Sequence, residues 1–166
     1  MGKRTATVIS QLRSDAKYLG DEYKRESERL FAIYRPIEVD ENVPLKEKKK
    51  KMHEWWKKHF DLISRSGLTK DIIARVVKER PLKFRKGSLE FISFLNDRNI
   101  PLIFMSAAPG DMLIGYLEQA GLMLPNVYVI SNLYRFDKNG KALIIMEPII
   151  HTFNKTEISL RTYSIY

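Results

Sequence analysis

A strand that turns straight into a helix through small residues constrains this chain most. Leu102, Ile103, Phe104 and Met105 form an apolar run after Pro101. That is the composition of a buried strand with proline at its start, where a missing N–H is tolerated. Ser106, Ala107 and Ala108 follow, then Pro109, Gly110 and Asp111. Pro109 suits the first helical position, and Asp111 suits the first turn, where a carboxylate meets the positive end of the helix dipole. Met112, Leu113, Tyr116, Leu117 and Ala120 continue at helical spacing, and Gly121 stops the run as a C′ glycine does. Backbone N–H groups and one hydroxyl thereby gather at an anion-sized spot. Crevices of this kind lie beyond the carboxyl ends of parallel strands. The plainer reading gives Ser106 the role of a helix cap alone.

The neighbouring segments extend this unit. An amphipathic helix over Ser88 to Asn96 precedes it, and a second apolar strand, Val127 to Ile130, follows. Helix, strand, helix, strand is the alternation of a parallel sheet with right-handed crossovers. Asp137-Lys-Asn-Gly140 marks a hairpin between Leu133–Phe136 and Ala142–Met146. Thr156 to Arg161 reads as a helix beginning.

The first half is helical. Val8, Leu12, Ala16, Leu19, Tyr23, Leu30 and Ile33 recur at three- and four-residue steps, with Gly20 as a break. Pro36 is expected to end this pattern, leaving Ile37 to Asp40 extended. A basic run, Lys46 to Lys51, leads into a helix whose broad apolar face carries Met52, Trp55, Trp56, His59, Phe60 and Ile63. Gly67 closes it, Thr69 caps the next helix with Asp71 in its first turn, and Arg80-Pro81 ends that one.

Bulk properties narrow the function. The formal charge is +9, from 29 basic and 20 acidic side chains, which favours anionic partners in general. The lysine run reads as a solvated face. A nucleic-acid surface needs exposed aromatics among the charges, so nucleic acid is not the favoured partner. Cysteine is absent, which excludes disulfides, thiolate metal sites and a cysteine nucleophile. No apolar run approaches the roughly 20 residues of a membrane span. His53 and His151 lack a metal-ligand spacing, and no metal-binding residue is assigned.

Taken in order, several stretches resemble the cytosolic 5′-nucleotidase type III (pyrimidine 5′-nucleotidase) family of the haloacid dehalogenase superfamily. They are Tyr34 to Asp40, Glu54-Trp55, Phe104 to Asp111, Gln119 to Gly121, Pro125 to Val127, Ile130 to Asn132, Phe136-Asp137 and His151 to Lys155. The resemblance implies an α/β fold: a partial Rossmann-like core over 81–166 and a mainly helical cap over 1–80. It implies hydrolysis of nucleoside 5′-monophosphates, chiefly pyrimidine ones, with Mg²⁺, in the cytoplasm. Ser106 falls at the superfamily's second motif, where a hydroxyl and the following amide, here Ala107, hold the phosphate. Lys155 matches the third motif, a lysine that neutralises the phosphoryl group. Glu38 matches a cap carboxylate that reads the base, and Trp55 an aromatic beside it. His59 falls where some relatives carry a small serine that contacts the nucleoside.

Chemistry agrees with these roles. A hydroxyl, backbone N–H groups and a lysine stabilise the charge spread over a transferring phosphoryl group. A carboxylate accepts from cytosine's exocyclic amine, and an aromatic face stacks on a base. Two family motifs are missing from the sequence: the Asp-x-Asp-x-Thr strand expected just before Gly2, and the acidic fourth motif expected after Tyr166. They supply the nucleophile and the Mg²⁺ carboxylates, so little or no phosphatase activity is expected of this stretch by itself. Rival readings are a non-catalytic nucleotide-binding fragment, self-associating through an exposed sheet edge, and a basic nucleic-acid-binding domain.

Overall fold

The computed structural model describes residues 8–156. Two helices open the chain, α1 over Val8–Arg13 and α2 over Ala16–Val39. Asp15 caps α2 through Lys17 N at 3.1 Å, and Gly20 interrupts it with a φ of +84°. The chain then turns into α3, Leu45–Arg65, which packs along α2. Gly67 reverses the chain and Thr69 caps α4, Lys70–Glu79, its hydroxyl accepting from Ile72 N at 3.1 Å. After α5, Ser88–Asp97, come β1, Leu102–Pro109, α6, Gly110–Gln119, and β2, Val127–Asn132. The hairpin of β3, Tyr134–Phe136, and β4, Ala142–Ile145, is the last of the described helices and strands.

β1 and β2 run parallel, with Phe104 opposite Val129 and Ile103 opposite Tyr128. Leu102, Phe104 and Val129 pack beneath α5 and α6 with Ile92, Leu113, Leu117 and Leu122. The opposite face is open, with Ile103 and Tyr128 exposed, and among the described residues β1 pairs with β2 alone. The largest apolar cluster lies elsewhere and joins both halves of the chain. Tyr18, Tyr23, Phe60, Ile63, Leu68 and Val76 meet Met112, Tyr116, Tyr134, Ile145 and Ile149 there. Asp137 closes the hairpin by accepting from Asn139 N and Lys141 N, and the Gly140 carbonyl accepts from Lys70 N at the start of α4.

Three expectations from the sequence need correction. Helix α2 runs through Pro36 to Val39, so Ile37 to Val39 is helical, not extended. One lost N–H bond is affordable here because Pro36 and Ala32, four residues earlier, are both exposed and water reaches the freed carbonyl. Pro109 closes β1, and the helix begins at Gly110. Ser106 does not cap that helix: its Oγ accepts from Ala108 N, ahead of the first helical residue, and the N-cap Pro109 offers no side-chain bond. The helix expected from Thr156 onward falls outside the described residues from 157 on.

Candidate functional site

The continuation of α2 past Pro36 sets up the first part of the site. Tyr34 and Glu38 lie four residues apart and share one helical face, turned toward α3. Tyr34 is buried and stacks on Trp55, ring centroids 5.8 Å apart and 9° from parallel. Its hydroxyl donates to Glu54 Oε1 at 2.7 Å, and Lys58 donates to the same oxygen at 2.6 Å. These bonds hold the Glu54 carboxyl down at about 2, the Lys58 bond foremost. Phe31 meets Trp55 edge-on at 6.0 Å, and Trp56 stacks on both Trp55 and His59.

Glu38, Trp55 and His59 line one cavity of about 180 Å³ together with Ile9, Arg13, Phe31 and Trp56. That is below the roughly 300 Å³ at which pockets for whole drug-sized ligands begin. His59 is buried and lies 3.2 Å from the Tyr23 hydroxyl through Nε2. Burial, then the Arg13 charge, lower its pKa to about 4, so the ring is neutral. Burial likewise raises the Tyr23 phenol. The indole N–H groups of Trp55 and Trp56 are buried with no protein acceptor. A larger hollow of about 590 Å³, lined by Glu26, Lys58, Asp61 and Arg65, holds none of the expected site residues.

The second part is the turn after β1. Ser106 Oγ accepts from Ala108 N at 3.1 Å, which leaves the hydroxyl proton available to a ligand. The carbonyls of the turn are fixed from behind by the end of β2. Ser131 Oγ donates to Ala108 O at 2.8 Å and lies 3.1 Å from Ser106 O, while Asn132 Nδ2 donates to Ala107 O at 2.9 Å. Gly110 makes this approach possible, since a Cβ there would sit 2.8 Å from Leu133 Cδ2 and 2.9 Å from Ser131 Cβ. Asp111 accepts from Tyr134 N at 2.9 Å. Burial raises its pKa against the lowering by backbone N–H groups.

A bridging segment, residues 147–154, joins the two parts. Asn132 Nδ2 also donates to Ile150 O at 2.9 Å, and its Oδ1 accepts from Ile150 N at 2.7 Å. Asn154 folds the segment back, donating to Ile149 O and accepting from His151 N. Thr152 Oγ1 then donates to Glu38 Oε1 at 2.8 Å, while Arg35 holds the other Glu38 oxygen. Phe153 packs against Tyr34, Met52 and Trp55. Lys155 follows directly; it is exposed and makes no ion pair among the described residues.

The structure therefore gathers Glu38, Trp55 and His59 at one cavity, and fixes Ser106 and Ala107 on a backbone that shares Asn132 with the segment leading to Lys155. Sequence reasoning missed Thr152, Asn132 and Arg13. Asn132 carried a signal, ending an apolar strand with two small polar residues, but strand ends are often polar for no further reason.

The pyrimidine 5′-nucleotidase (UMPH-1) family model matches residues 1–166. The chain belongs to the pyrimidine 5′-nucleotidase family. It is similar to the 7-methylguanosine phosphate-specific 5′-nucleotidase A of Xenopus laevis, 37% identical over 160 residues, 96% of this chain and 55% of that protein. The 7-methylguanosine phosphate-specific 5′-nucleotidase of Homo sapiens is 34% identical over 154 residues, 93% of this chain and 51% of that protein. The crystal structure of cytosolic 5′-nucleotidase IIIB bound to cytidine superposes with a TM-score of 0.81 at 30% identity, covering 95% of this chain and 52% of that one. The fold is thus the α/β fold of that haloacid dehalogenase-type enzyme. The chain spans about half the length of these relatives. No described helix is long and apolar enough to cross a membrane.

Proposed function

We propose that this chain supplies the base-binding cap and the phosphate-binding turn of an enzyme that hydrolyses nucleoside 5′-monophosphates, chiefly pyrimidine ones. In this reading residues 1–80 act as the cap and 81–166 as part of the core. The supporting observation is that Glu38, Trp55 and His59 line one cavity whose Glu38 is tied by Thr152 to the segment that Asn132 fastens to the Ser106 turn. A base stacks on an aromatic wall and donates its exocyclic amine to Glu38. The Ser106 hydroxyl and the Ala107 N–H take phosphoryl oxygens, and Lys155 neutralises their charge. The cytosolic location follows the family.

Mg²⁺ is the metal that family resemblance implies. Among the described residues no group of three His, Asp or Glu could hold a metal ion, and the Asp111 carboxylate is engaged by Tyr134 N. The described residues do not fit a Mg²⁺ site, so its carboxylates and the nucleophile are assigned to no residue of this chain. Self-association through the β1 edge, which no described strand covers, belongs to the same reading, with sedimentation equilibrium as its check.

Calorimetric titration with CMP and cytidine tests the reading. CMP binds more tightly than cytidine, and Ser106→Ala and Lys155→Ala each narrow that gap about tenfold, or ~1.4 kcal/mol. Trp55→Ala weakens both ligands alike. Equal binding of CMP and cytidine, or binding of neither, overturns it.

A further inference from the structure

The cavity that holds Glu38, Trp55 and His59 carries a cation that the family resemblance did not name. Arg13, at the end of α1, lines it, and its guanidinium carbon sits 5.6 Å over the Phe31 ring. Phe31 in turn abuts Trp55. The guanidinium is thereby held beside the aromatic wall, by an attraction that needs no hydrogen bond. An arginine offers five N–H donors in a planar fork. Among the described residues none of Arg13's donors has an acceptor, and no carboxylate forms an ion pair with it.

Most of the remaining wall is apolar or aromatic: Ile9, Phe31, Trp55 and Trp56. The anionic group, Glu38, already faces the Arg35 guanidinium and the Thr152 hydroxyl. The cavity therefore carries one guanidinium fork without acceptors among the described residues and an unbalanced positive charge. A fitting base brings carbonyl or ring-nitrogen acceptors and no positive charge of its own. Cytosine, uracil and guanine meet both conditions. A guanine methylated at N7 meets neither as well: the methyl group covers an acceptor that a guanidinium would use, and the ring becomes cationic. A like charge buried nearby in a partly dry cavity is costly.

We infer that Arg13 is a specificity residue that turns this cavity toward neutral, carbonyl-bearing bases and against the cationic 7-methylguanine base. On this inference the chain's base preference differs from that in the names of its 7-methylguanosine phosphate-specific relatives. The inference rests on the base-cavity reading proposed above.

Calorimetric titration of the full chain with CMP, GMP and 7-methylguanosine 5′-monophosphate, at pH 6 where the methylated base keeps its charge, tests it. CMP and GMP each bind at least tenfold more tightly than the methylated nucleotide. Arg13→Gln narrows that ratio about tenfold through a gain for the methylated nucleotide, while Arg13→Lys, which keeps the charge, preserves it. The GMP comparison uses the unaltered protein and stands even if a variant fails to fold. Tighter or equal binding of 7-methylguanosine 5′-monophosphate by the unaltered chain, or a ratio unmoved by Arg13→Gln in a folded variant, overturns the inference and leaves the nucleotidase reading intact. Binding of no nucleotide at all overturns both.

Discussion

The cavity proposed for the base and the turn proposed for the phosphate are built on opposite principles. The cavity is made of side chains: Tyr34, Trp55, Trp56, Phe31 and His59 lean on one another from α2 and α3, with a few hydrogen bonds at the margin. The turn is made of backbone, its carbonyls fastened by Ser131 and Asn132 and its closeness secured by one glycine. Shape by packing tolerates exchange among large apolar groups, whereas backbone fastened by one side chain depends on that side chain. A base is a flat apolar plate with few polar atoms, and a phosphate is a ball of charge. Each region is built in the manner its proposed ligand requires.

The sharpest way to break this contrast is at Asn132. Asn132→Ala removes bonds to Ala107 O, Ile150 O and Ile150 N and leaves buried backbone groups unpaired, for an expected loss of about 4 kcal/mol. Urea titration measures it. The CMP-over-cytidine preference vanishes while cytidine affinity survives in the folded fraction. A loss below ~1 kcal/mol would mean that the turn holds without its fastening.

The cavity is expected to fail in acid instead. His59 titrates near 6.5 in the unfolded chain and about 4 in the folded one, so the unfolded state binds the proton more readily. Stability is full above pH 6.5 and falls as the pH drops toward 4, by up to ~3 kcal/mol. His151, lowered in the same direction chiefly by burial, adds to the slope. Urea midpoints from pH 7 to 4 measure the fall, and His59→Gln flattens it; an unchanged slope in that variant would remove His59 as its source.

Gly110→Ala forces a methyl against Leu133 and Ser131 and costs about 2 kcal/mol by overpacking. Thermal melting reads it, and Gly140→Ala, where the nearest atoms stand at 3.6 Å and the cost is the positive φ alone, is the comparison. The smallest effect is at the joint. Thr152→Val removes one exposed hydrogen bond to Glu38, about 1 kcal/mol, and loosens the base side without touching the turn. Equal loss of affinity for CMP and cytidine checks that.

Legibility in the sequence follows the same division. The turn was readable because an apolar strand, small residues and a glycine-stopped helix are local patterns. The Thr69 cap and the Asp137–Gly140 hairpin were local too. Pro36 misled, because a proline's cost depends on whether the freed carbonyl reaches water, which only the folded helix decides. Family resemblance pointed to Glu38, Trp55 and His59, but their meeting depends on how α2 lies along α3. The Glu38–Thr152 bond spans 114 residues and the Tyr134–Phe60 bond 74, and no period or spacing announces such pairs. Arg13 stayed silent for a related reason: an arginine at a short helix's end looks like any surface cation until an aromatic ring is found beneath it.

One arrangement has a practical return. The chain has two tryptophans, and both stand in the wall of the base cavity, stacked with centroids 6.0 Å apart. All indole fluorescence therefore originates at the spot a base would occupy. Quenching on titration, with excitation at wavelengths the eight tyrosines do not absorb, reports occupancy with no label and no other indole in the chain.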